Sequence, residues 1–342
     1  MERKRISLRN LAEKLNLSIS TVSRALRGVG EVNPSTRQRV LELARQLNYH
    51  PNPLALGLLH NQTQTIGVIL PEIENYYYST ILRGIDSIAS SAGYRIITMY
   101  SNDFHEREVQ AIEELMQSLV DGILLCPAQD STDYLHLQRL INDNFPVVLF
   151  ERSIPELTIS QVVTNNYQAS YELADHLIER GCRRIAFITS LEPLSAGNER
   201  YKGYLSALKK HNLQFNRELI IHGNLNISTS IEATKNLLQL NPKPDAIIGN
   251  SDTVAMASMK VIKEAGLIIP DDIALAGFSD DPFSSFLEPS LTSVSQPAYL
   301  IGMRSMELLL KKIKATDESI SPHIVTFESA LVCRESTGHN KQ

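Results

Sequence analysis

Residues 18–26 read Ser18-Ile19-Ser20-Thr21-Val22-Ser23-Arg24-Ala25-Leu26. Ser18 suits the N-cap of a short helix, where a side-chain oxygen accepts from a free first-turn amide. In that helix Val22, Ala25 and Leu26 share one face, which leaves Ile19, Ser20, Thr21, Ser23 and Arg24 on the outer and leading surface. Ahead of it, Leu8, Leu11, Ala12 and Leu15 lie on one face of another helix, and Asn16-Leu17 breaks the chain between the two. Two short helices joined by a tight turn make a helix-turn-helix. Small polar residues opening the second helix allow close approach to base edges in a major groove. A plain helical hairpin with solvated Ser and Thr would fit the same residues.

A third helix follows, capped by Asn33, with Pro34 in its first turn and Val40, Leu41, Ala44 and Leu47 as its inner face. Asn48-Tyr49-His50-Pro51 ends it. Leu11-Ala, Ser18-x-x-Thr-Val-Ser-Arg24, Thr36-Arg37, Val40 and Asn48-Tyr49-x-Pro51-Asn52 together resemble the headpiece of the lactose-repressor (LacI/GalR) family of bacterial transcription regulators. Later segments fit the same pattern: Thr65-Ile-Gly-Val-Ile, Val120-Asp-Gly-Ile, Arg200-x-x-Gly-Tyr204, Pro270-Asp-Asp-Ile, Gly277-Phe, Leu291-Thr-Ser-Val and Arg334-Glu-Ser-Thr-Gly338.

The resemblance implies an α/β chain in three parts. A three-helix headpiece occupies 1–50, and a hinge helix and linker occupy 51–63. A two-lobed periplasmic-binding-protein-like body of parallel sheets flanked by helices fills 64–342, with lobe 1 at about 64–163 and 295–323 and lobe 2 at about 164–294 and 324–338. It further implies a homodimer on a pseudo-palindromic double-stranded DNA operator, released or retained by a small-molecule effector. The DNA-contacting positions it carries over are Ser7, Ser18, Ile19, Ser20, Thr21, Ser23, Arg24, Asn33, Thr36, Tyr49, Asn52, Ala55 and Leu58.

Charge is distributed in the same sense. The chain is 342 residues with a net charge of −5, yet residues 1–60 hold ten Lys and Arg against four Asp and Glu. A basic head on an acidic body directs only the head to a polyanion. The three cysteines, Cys126, Cys182 and Cys333, lack metal-ligand spacing and suit a reduced, cytoplasmic setting. No signal peptide is visible at the charged N-terminus, and no apolar run reaches the roughly 20 residues of a membrane span.

From Gln64 onward strand-like runs alternate with helical patterns. The first series has strands at Thr65–Leu70, Tyr94–Tyr100, Gly122–Cys126 and Val147–Phe150. The second begins at Val162–Val163 and continues through Arg184–Ile188, Glu218–Ile221, Ala246–Ile248 and Ile273–Ala276. Alternation of this kind implies parallel sheets with helices on both faces, and two series imply two lobes. Leu291–Val294 and the segment after His323 read as returning strands. In such sheets ligands bind beyond the carboxyl ends of the strands, here Glu72–Tyr78, Pro127–Ser131, Glu151–Arg152, Leu191–Arg200, Asn250–Asp252 and Ser279–Asp281.

Within those segments the resemblance assigns the effector to Tyr77, Tyr78, Glu151, Arg200, Asp252, Ser279 and Asp280. The chain departs from the family at several of them: Ser251 replaces an Asn, Glu151 stands where Asp is commoner, and Ser279 replaces the first Asp of Gly-Phe-Asp-Asp. These departures leave the effector's identity open. Aromatic faces among Asp, Glu, Asn and Arg suit a sugar or sugar derivative, and a planar guanidinium suits hydroxyls, carboxylate or phosphate alike. Read singly, Asp252 or Asp280 could instead cap a helix, and Tyr78 could belong to the core.

A transporter's solute-binding protein would share the body but needs no DNA-binding head. A sugar-metabolising enzyme should show a nucleophile or acid–base pair, and the sequence has neither a phosphate loop of the Gly-x-x-x-x-Gly-Lys-Ser/Thr type nor a Gly-x-Ser-x-Gly turn. His176, His211 and His222 stand alone. No cofactor and no metal is expected.

The hinge, residues 52–59, departs from the family's Ala-Arg-Ser-Leu by reading Ala55-Leu56-Gly57-Leu58. In the family this segment folds on the operator and pushes a leucine, here Leu58, into the minor groove. Apolar wedges of this kind unstack base steps. The other reading is an apolar linker packed against the body. Gly57 costs about 1 kcal/mol of helix propensity relative to Ala, and an isolated helix of this length is unstable in water. Gly57→Ala is therefore expected to tighten operator binding where the backbone is right-handed helical and the methyl clears the partner hinge. Amide hydrogen exchange over 52–59 checks it: equal exchange with and without operator contradicts the coupling.

Overall fold

A computed structural model describes the chain except residues 1–5, 29, 31, 50–61, 191, 195, 224, 316–320 and 339–342, and the side chain of Arg27. The hinge positions Asn52, Ala55 and Leu58 thus lie outside the described residues. The chain divides into two units, residues 1–63 and 64–342.

In the first unit, helices α1 (Leu8–Leu15), α2 (Ile19–Arg27) and α3 (Pro34–Gln46) close around Leu11, Ala12, Val22, Ala25, Val40 and Ala44. Each helix start is satisfied by the residue before it. Ser7 and Asn10 form a reciprocal capping box, the Ser18 hydroxyl accepts from the Thr21 amide, and the Asn33 carboxamide accepts from the Ser35 amide. Asn16 ends α1 in the left-handed conformation and Gly28 ends α2 in the same way. Leu41 corrects the expected inner face. It is exposed, and Leu43 packs instead, since helix periodicity groups 40, 43, 44 and 47.

The second unit holds two six-stranded sheets. The first contains β1 (Thr65–Leu70), β2 (Arg95–Tyr100), β3 (Gly122–Leu125), β4 (Val147–Glu151), β5 (Ser160–Thr164) and β11 (Ile324–Phe327), ordered β11-β5-β4-β3-β1-β2 and parallel throughout. The second contains β6 (Ile185–Thr189), β7 (Ile220–His222), β8 (Ala246–Gly249), β9 (Ala274–Ser279), β10 (Thr292–Ser295) and β12 (Ala330–Val332), ordered β12-β10-β9-β8-β6-β7 with only β12 antiparallel. Strands β1, β3, β4, β6 and β8 are buried along their whole length, which is why they read as unbroken apolar runs.

Helices α4 (Tyr76–Ser91), α5 (His105–Gln117), α6 (Leu135–Asn142) and α11 (Ala298–Lys314) cover the first sheet. Helices α7 (Asn166–Glu179), α8 (Ala196–Lys210), α9 (Ile227–Gln239) and α10 (Asp252–Glu264) cover the second. None of the described helices is long and apolar enough to cross a membrane. Two sequence expectations are corrected. Ile324–Phe327 pairs with β5 in the first sheet, so the chain returns to the second lobe at 328–329 and not at 324. The strand expected from Glu218 begins as a 3-10 turn, Arg217–Leu219. Helix α11 was not anticipated at all.

The chain crosses between the lobes three times, after β5, β10 and β11. The Asn165 amide donates to the Phe327 carbonyl at 3.1 Å, and the Ser329 amide donates to Asn165 Oδ1 at 2.8 Å, so two crossings are laced together. In both sheets strand order reverses next to the first strand, between β1 and β3 and between β6 and β8. Those reversals open the crevices in which such sheets bind ligands.

Each lobe packs one helix pair at backbone contact. A methyl on Gly302 of α11 would fall on the Ile81 carbonyl of α4, and one on Gly203 of α8 would fall on the Tyr167 carbonyl of α7. Neither obstacle is a flexible side chain, so the helices themselves must separate. Gly203→Ala and Gly302→Ala are each expected to cost about 1–3 kcal/mol, read as a lowered thermal midpoint. An unchanged midpoint would contradict the packing.

Candidate functional site

Two surfaces concentrate the sequence-derived candidates, one in each unit. On the headpiece, Ile19 is half exposed and apolar at the leading end of α2. Beside it, Ser18 Oγ lies 2.9 Å from Ser20 Oγ and 2.8 Å from Thr21 Oγ1. Arg24 is exposed and bends back to the Ser20 carbonyl at 3.3 Å. Ser23 and Thr36 are partly buried, and Tyr49 is half-buried against the headpiece core. Ser7 and Asn33 sit at the N-termini of α1 and α3, where free amides and the helix dipole favour an anion such as a phosphate.

In the body, the site is built at the strand ends that face each other across the lobes. Arg200 lies in the first half of α8 and is almost completely buried. Its Arg-x-x-Gly-Tyr context has a physical reason. Gly203 lets α8 touch the backbone of α7, and the buried Tyr204 hydroxyl donates to the Ile185 carbonyl of β6 at 2.8 Å, which fixes the helix over its sheet. So held, Arg200 donates through Nε to Asn166 Oδ1 at 2.8 Å, through Nη1 to the Asn250 carbonyl at 2.5 Å, and through Nη2 to Gln296 Oε1 at 3.3 Å. The guanidinium lies 4.3 Å over the Phe278 ring. Its counter-charge comes from the other lobe: Glu151 Oε1, at the end of β4, is 4.0 Å from Nη2.

Glu151 is itself buried and accepts a short hydrogen bond from the Tyr77 hydroxyl. Burial pushes its carboxyl above the usual range, opposed by Arg200 and by the Tyr77 hydrogen bond. Burial, then the neighbouring Glu151 charge, raises the Tyr77 phenol well above its ordinary value, so it stays a donor. Burial lowers the Arg200 pKa while Glu151 supports its charge. Gln296, on the second crossing, completes the ring by donating to Thr164 Oγ1 at 3.2 Å. Glu151 also has a left-handed backbone, φ 66°, a conformation that costs a non-glycine residue energy and collects at functional sites.

A second arginine stands beside this cluster in the first lobe. Arg152 grips Asp103 with both terminal nitrogens, donates to the Pro127 carbonyl at 2.6 Å and reaches the Tyr78 hydroxyl at 3.4 Å. Burial alone would lower its pKa, and Tyr78, Cys126 and Asp103 outweigh that. Two cavities flank the cluster. One, of about 580 Å³, is lined by Glu72, Glu74, Tyr100, Asp103, Phe104, Gln129, Asp130 and Glu192. The other, of about 760 Å³, is lined by Tyr134, Glu151, Arg152, Asn166, Tyr167, Asn198, Glu199 and Lys202.

Of the seven effector candidates, Tyr77, Tyr78, Glu151 and Arg200 are thus brought together. Asp252 is not among them. Its carboxylate accepts from Ser284 Oγ and Ser293 Oγ at 2.5 Å and from the Asp281 amide at 2.8 Å, and it is fully buried within the second lobe. Burial outweighs those bonds and pushes its pKa up to about 7. Asp280 pairs with Arg334 at 2.7 Å. Ser279 ends β9 with φ 112°. The expectation that Asp252 faces the effector is corrected by these bonds, which turn its carboxylate to the loop after β9 and to β10, while the Asn250 carbonyl is the group of this segment that meets Arg200. Asn166 and Gln296 were missed. Asn166 follows the first crossing between the lobes and Gln296 lies on the second, positions that periodicity does not mark.

Known proteins match both units. The model of bacterial regulatory proteins of the lacI family matches residues 7–52, and that of periplasmic binding proteins and the sugar-binding domain of the LacI family matches residues 63–332. Catabolite control protein A of Priestia megaterium is 33% identical over 97% of this chain and 99% of its own length. The transcriptional regulator CelR, solved as a cellobiose complex, is 30% identical with a TM-score of 0.72, over 97% of this chain and all of that one. The lac repressor dimer bound to operator shares the fold, with a TM-score of 0.85 at 23% identity over 98% of this chain and all of that one. With both parts of its length matched, the chain belongs to the LacI family of bacterial transcription regulators, which bind DNA and are not enzymes.

Proposed function

We propose that the protein is a cytoplasmic, homodimeric repressor whose hold on a pseudo-palindromic operator is set by a neutral sugar bound between the lobes. The observation that carries this reading is the buried Arg200–Glu151 pair, because its two charges come from opposite lobes, Glu151 from the carboxyl end of β4 and Arg200 from the helix that follows β6. A ligand hydroxyl that takes up donors of Arg200 or the carboxylate of Glu151 changes how the lobes are held together. Such a ligand shifts the balance between lobe arrangements by its differential affinity for them.

The lining argues for a neutral ligand. The smaller cavity carries Glu72, Glu74, Asp103, Asp130 and Glu192, and the Glu72 carboxyl is pushed up by its burial and then by Asp103. Arg152 is already committed to Asp103, and Arg200 to its own ring of acceptors. A phosphorylated or acidic sugar would meet like charge, whereas hydroxyls can bond carboxylates and stack on Tyr100 or Phe104. The cellobiose complex of the similar regulator supports a neutral sugar.

On the DNA side, Ile19, Ser20 and Thr21 read base edges, while Ser7, Asn33 and the exposed Arg37 hold phosphates. A dimer presents two such headpieces to two half-sites.

A thermal-shift screen of neutral sugars against sugar phosphates tests the ligand class, since a ligand of the native state raises the midpoint. Neutral sugars are expected to give the hits, and hits confined to sugar phosphates would overturn the reading. Replacing Ile19 or Ser20 should change which operator is preferred. Arg37→Ala should weaken binding to every sequence and flatten its salt dependence. Equal loss on all sequences after an Ile19 change would remove α2 from base reading. Arg200→Lys, which keeps the charge but loses the fork, should lower affinity for the sugar by about tenfold or more, roughly 1.4 kcal/mol, with operator binding retained. Calorimetry showing unchanged sugar affinity in the folded variant would take Arg200 out of the site.

A further inference from the structure

Outside the effector cleft, helix α5 opens with His105 and places Glu108 one turn later on the same face. His136, at the start of α6, comes against them from a second segment. Ligand atoms of the three side chains lie within 4.8 Å of one another, and Glu108 and His136 are buried. We propose that His105, Glu108 and His136 form a binding site for a divalent transition-metal cation of the zinc type.

The donor set fits that class. Two imidazoles and a carboxylate suit zinc and its neighbours, whereas calcium and magnesium take oxygen ligands. Zinc–nitrogen bonds of about 2.0–2.1 Å in a tetrahedral shell set ligand atoms about 3.3 Å apart. Reaching that geometry takes shifts of order 1 Å, with Glu108 and His136, now 2.6 Å apart, opening slightly and the wider separations, up to 4.8 Å, closing. Asp133 Oδ2, 3.8 Å from His105 Nε2, offers a fourth ligand.

The side chains are also oriented from behind, as metal ligands are. Glu108 accepts from the Ala128 amide through Oε2 at 2.5 Å and meets His136 Nε2 through Oε1 at 2.6 Å. His105 Nδ1 lies 3.1 Å from Ser131 Oγ, which leaves Nε2 directed toward Asp133. The two rings meet edge to face with centroids 5.0 Å apart. His136 Nδ1 is buried without a hydrogen-bond partner among the described residues. Coordination through either nitrogen of that ring leaves the other to carry the one proton of the neutral imidazole.

The site has a reach beyond itself. The His105 amide donates to Asp130 Oδ1 at 2.8 Å, and Gln129 and Asp130 line the smaller cavity. A cation joining α5, α6 and the loop between β3 and α6 fixes the wall of the effector cleft.

Full-length protein, stripped with a chelator and dialysed, is titrated with zinc chloride in calorimetry and thermal melts. At about 100 times Kd the wild-type midpoint should rise by about 5 °C or more. His105→Gln, which leaves the Glu108–His136 pair and a polar partner for Ser131, should melt like the stripped wild type and lose that rise. Cys333→Ser should keep it, which separates this cluster from the exposed Cys333 that lies 3.7 Å from His176. No rise in the wild type, or an equal rise in His105→Gln, would overturn the proposal.

Discussion

A guanidinium and a carboxylate buried across two lobes constrain everything around them. Arg200 and Glu151 are each about one-twentieth exposed, and neither charge is tolerable in that setting without the other. The rest of the cleft reads as the set of groups that makes the pair permissible. Asn166, the Asn250 carbonyl and Gln296 accept three of the hydrogen bonds that Arg200 can donate, and Tyr77 bonds the second oxygen of Glu151. Those partners come from the helices that hold Tyr77 and Asn166, the turn after β8 and one crossing segment. The lobes are joined by three covalent crossings, by hydrogen bonds from Ser190 and the Leu194 amide to Gln129, and by a polar knot whose members are all needed at once, and such networks are costly when only partly satisfied. A ligand entering the cleft competes for this knot, which links occupancy to the arrangement of the lobes.

The supporting shell explains why the arginine can be aimed so closely. Gly203 removes a side chain where α8 crosses α7, and Tyr204 fastens α8 to β6. In the opposite lobe the Arg152–Asp103 pair holds the ends of β2 and β4 together beside Glu151. The second lobe spends Asp252 in the same way, on the loop after β9 and on β10. Positive-φ residues at the ends of β4 and β9, Glu151 with Ser279 and Asp280, mark where the backbone leaves regular geometry to serve the cleft.

Much of this was legible in the sequence, for reasons that can be named. Interior strands such as β1 and β6 are buried on both faces and show as unbroken apolar runs. The headpiece helices announce themselves through Ser7, Ser18 and Asn33, whose caps are local chemistry. Helix α11 escaped notice because it touches both the first sheet and α4, so its Leu308-Leu309-Leu310 run blurs the 3.6-residue period. Strand β11 was given to the wrong lobe because an edge strand four residues long does not encode which sheet it joins; its pairing with β5 decides that. Arg200 could be found from its motif, whereas Asp252 was taken from its match to the acid of the family's Asn-Asp pair, and a sequence does not show that its carboxylate turns inward to Ser284, Ser293 and the Asp281 amide. The His105, Glu108 and His136 cluster was hidden by distance along the chain, since only its i, i+3 half lies within one helix.

The coupling between the two charges is the central claim, and a double-mutant cycle measures it without any ligand. Glu151→Gln, Arg200→Gln and the double variant, each of which removes the charge it replaces, are unfolded thermally beside the wild type. The lobe-bridging pair predicts that the two losses fail to add, with an interaction of about 0.5–3 kcal/mol. Strict additivity would mean that Glu151 and Arg200 do not sense each other across the cleft, and would contradict the account.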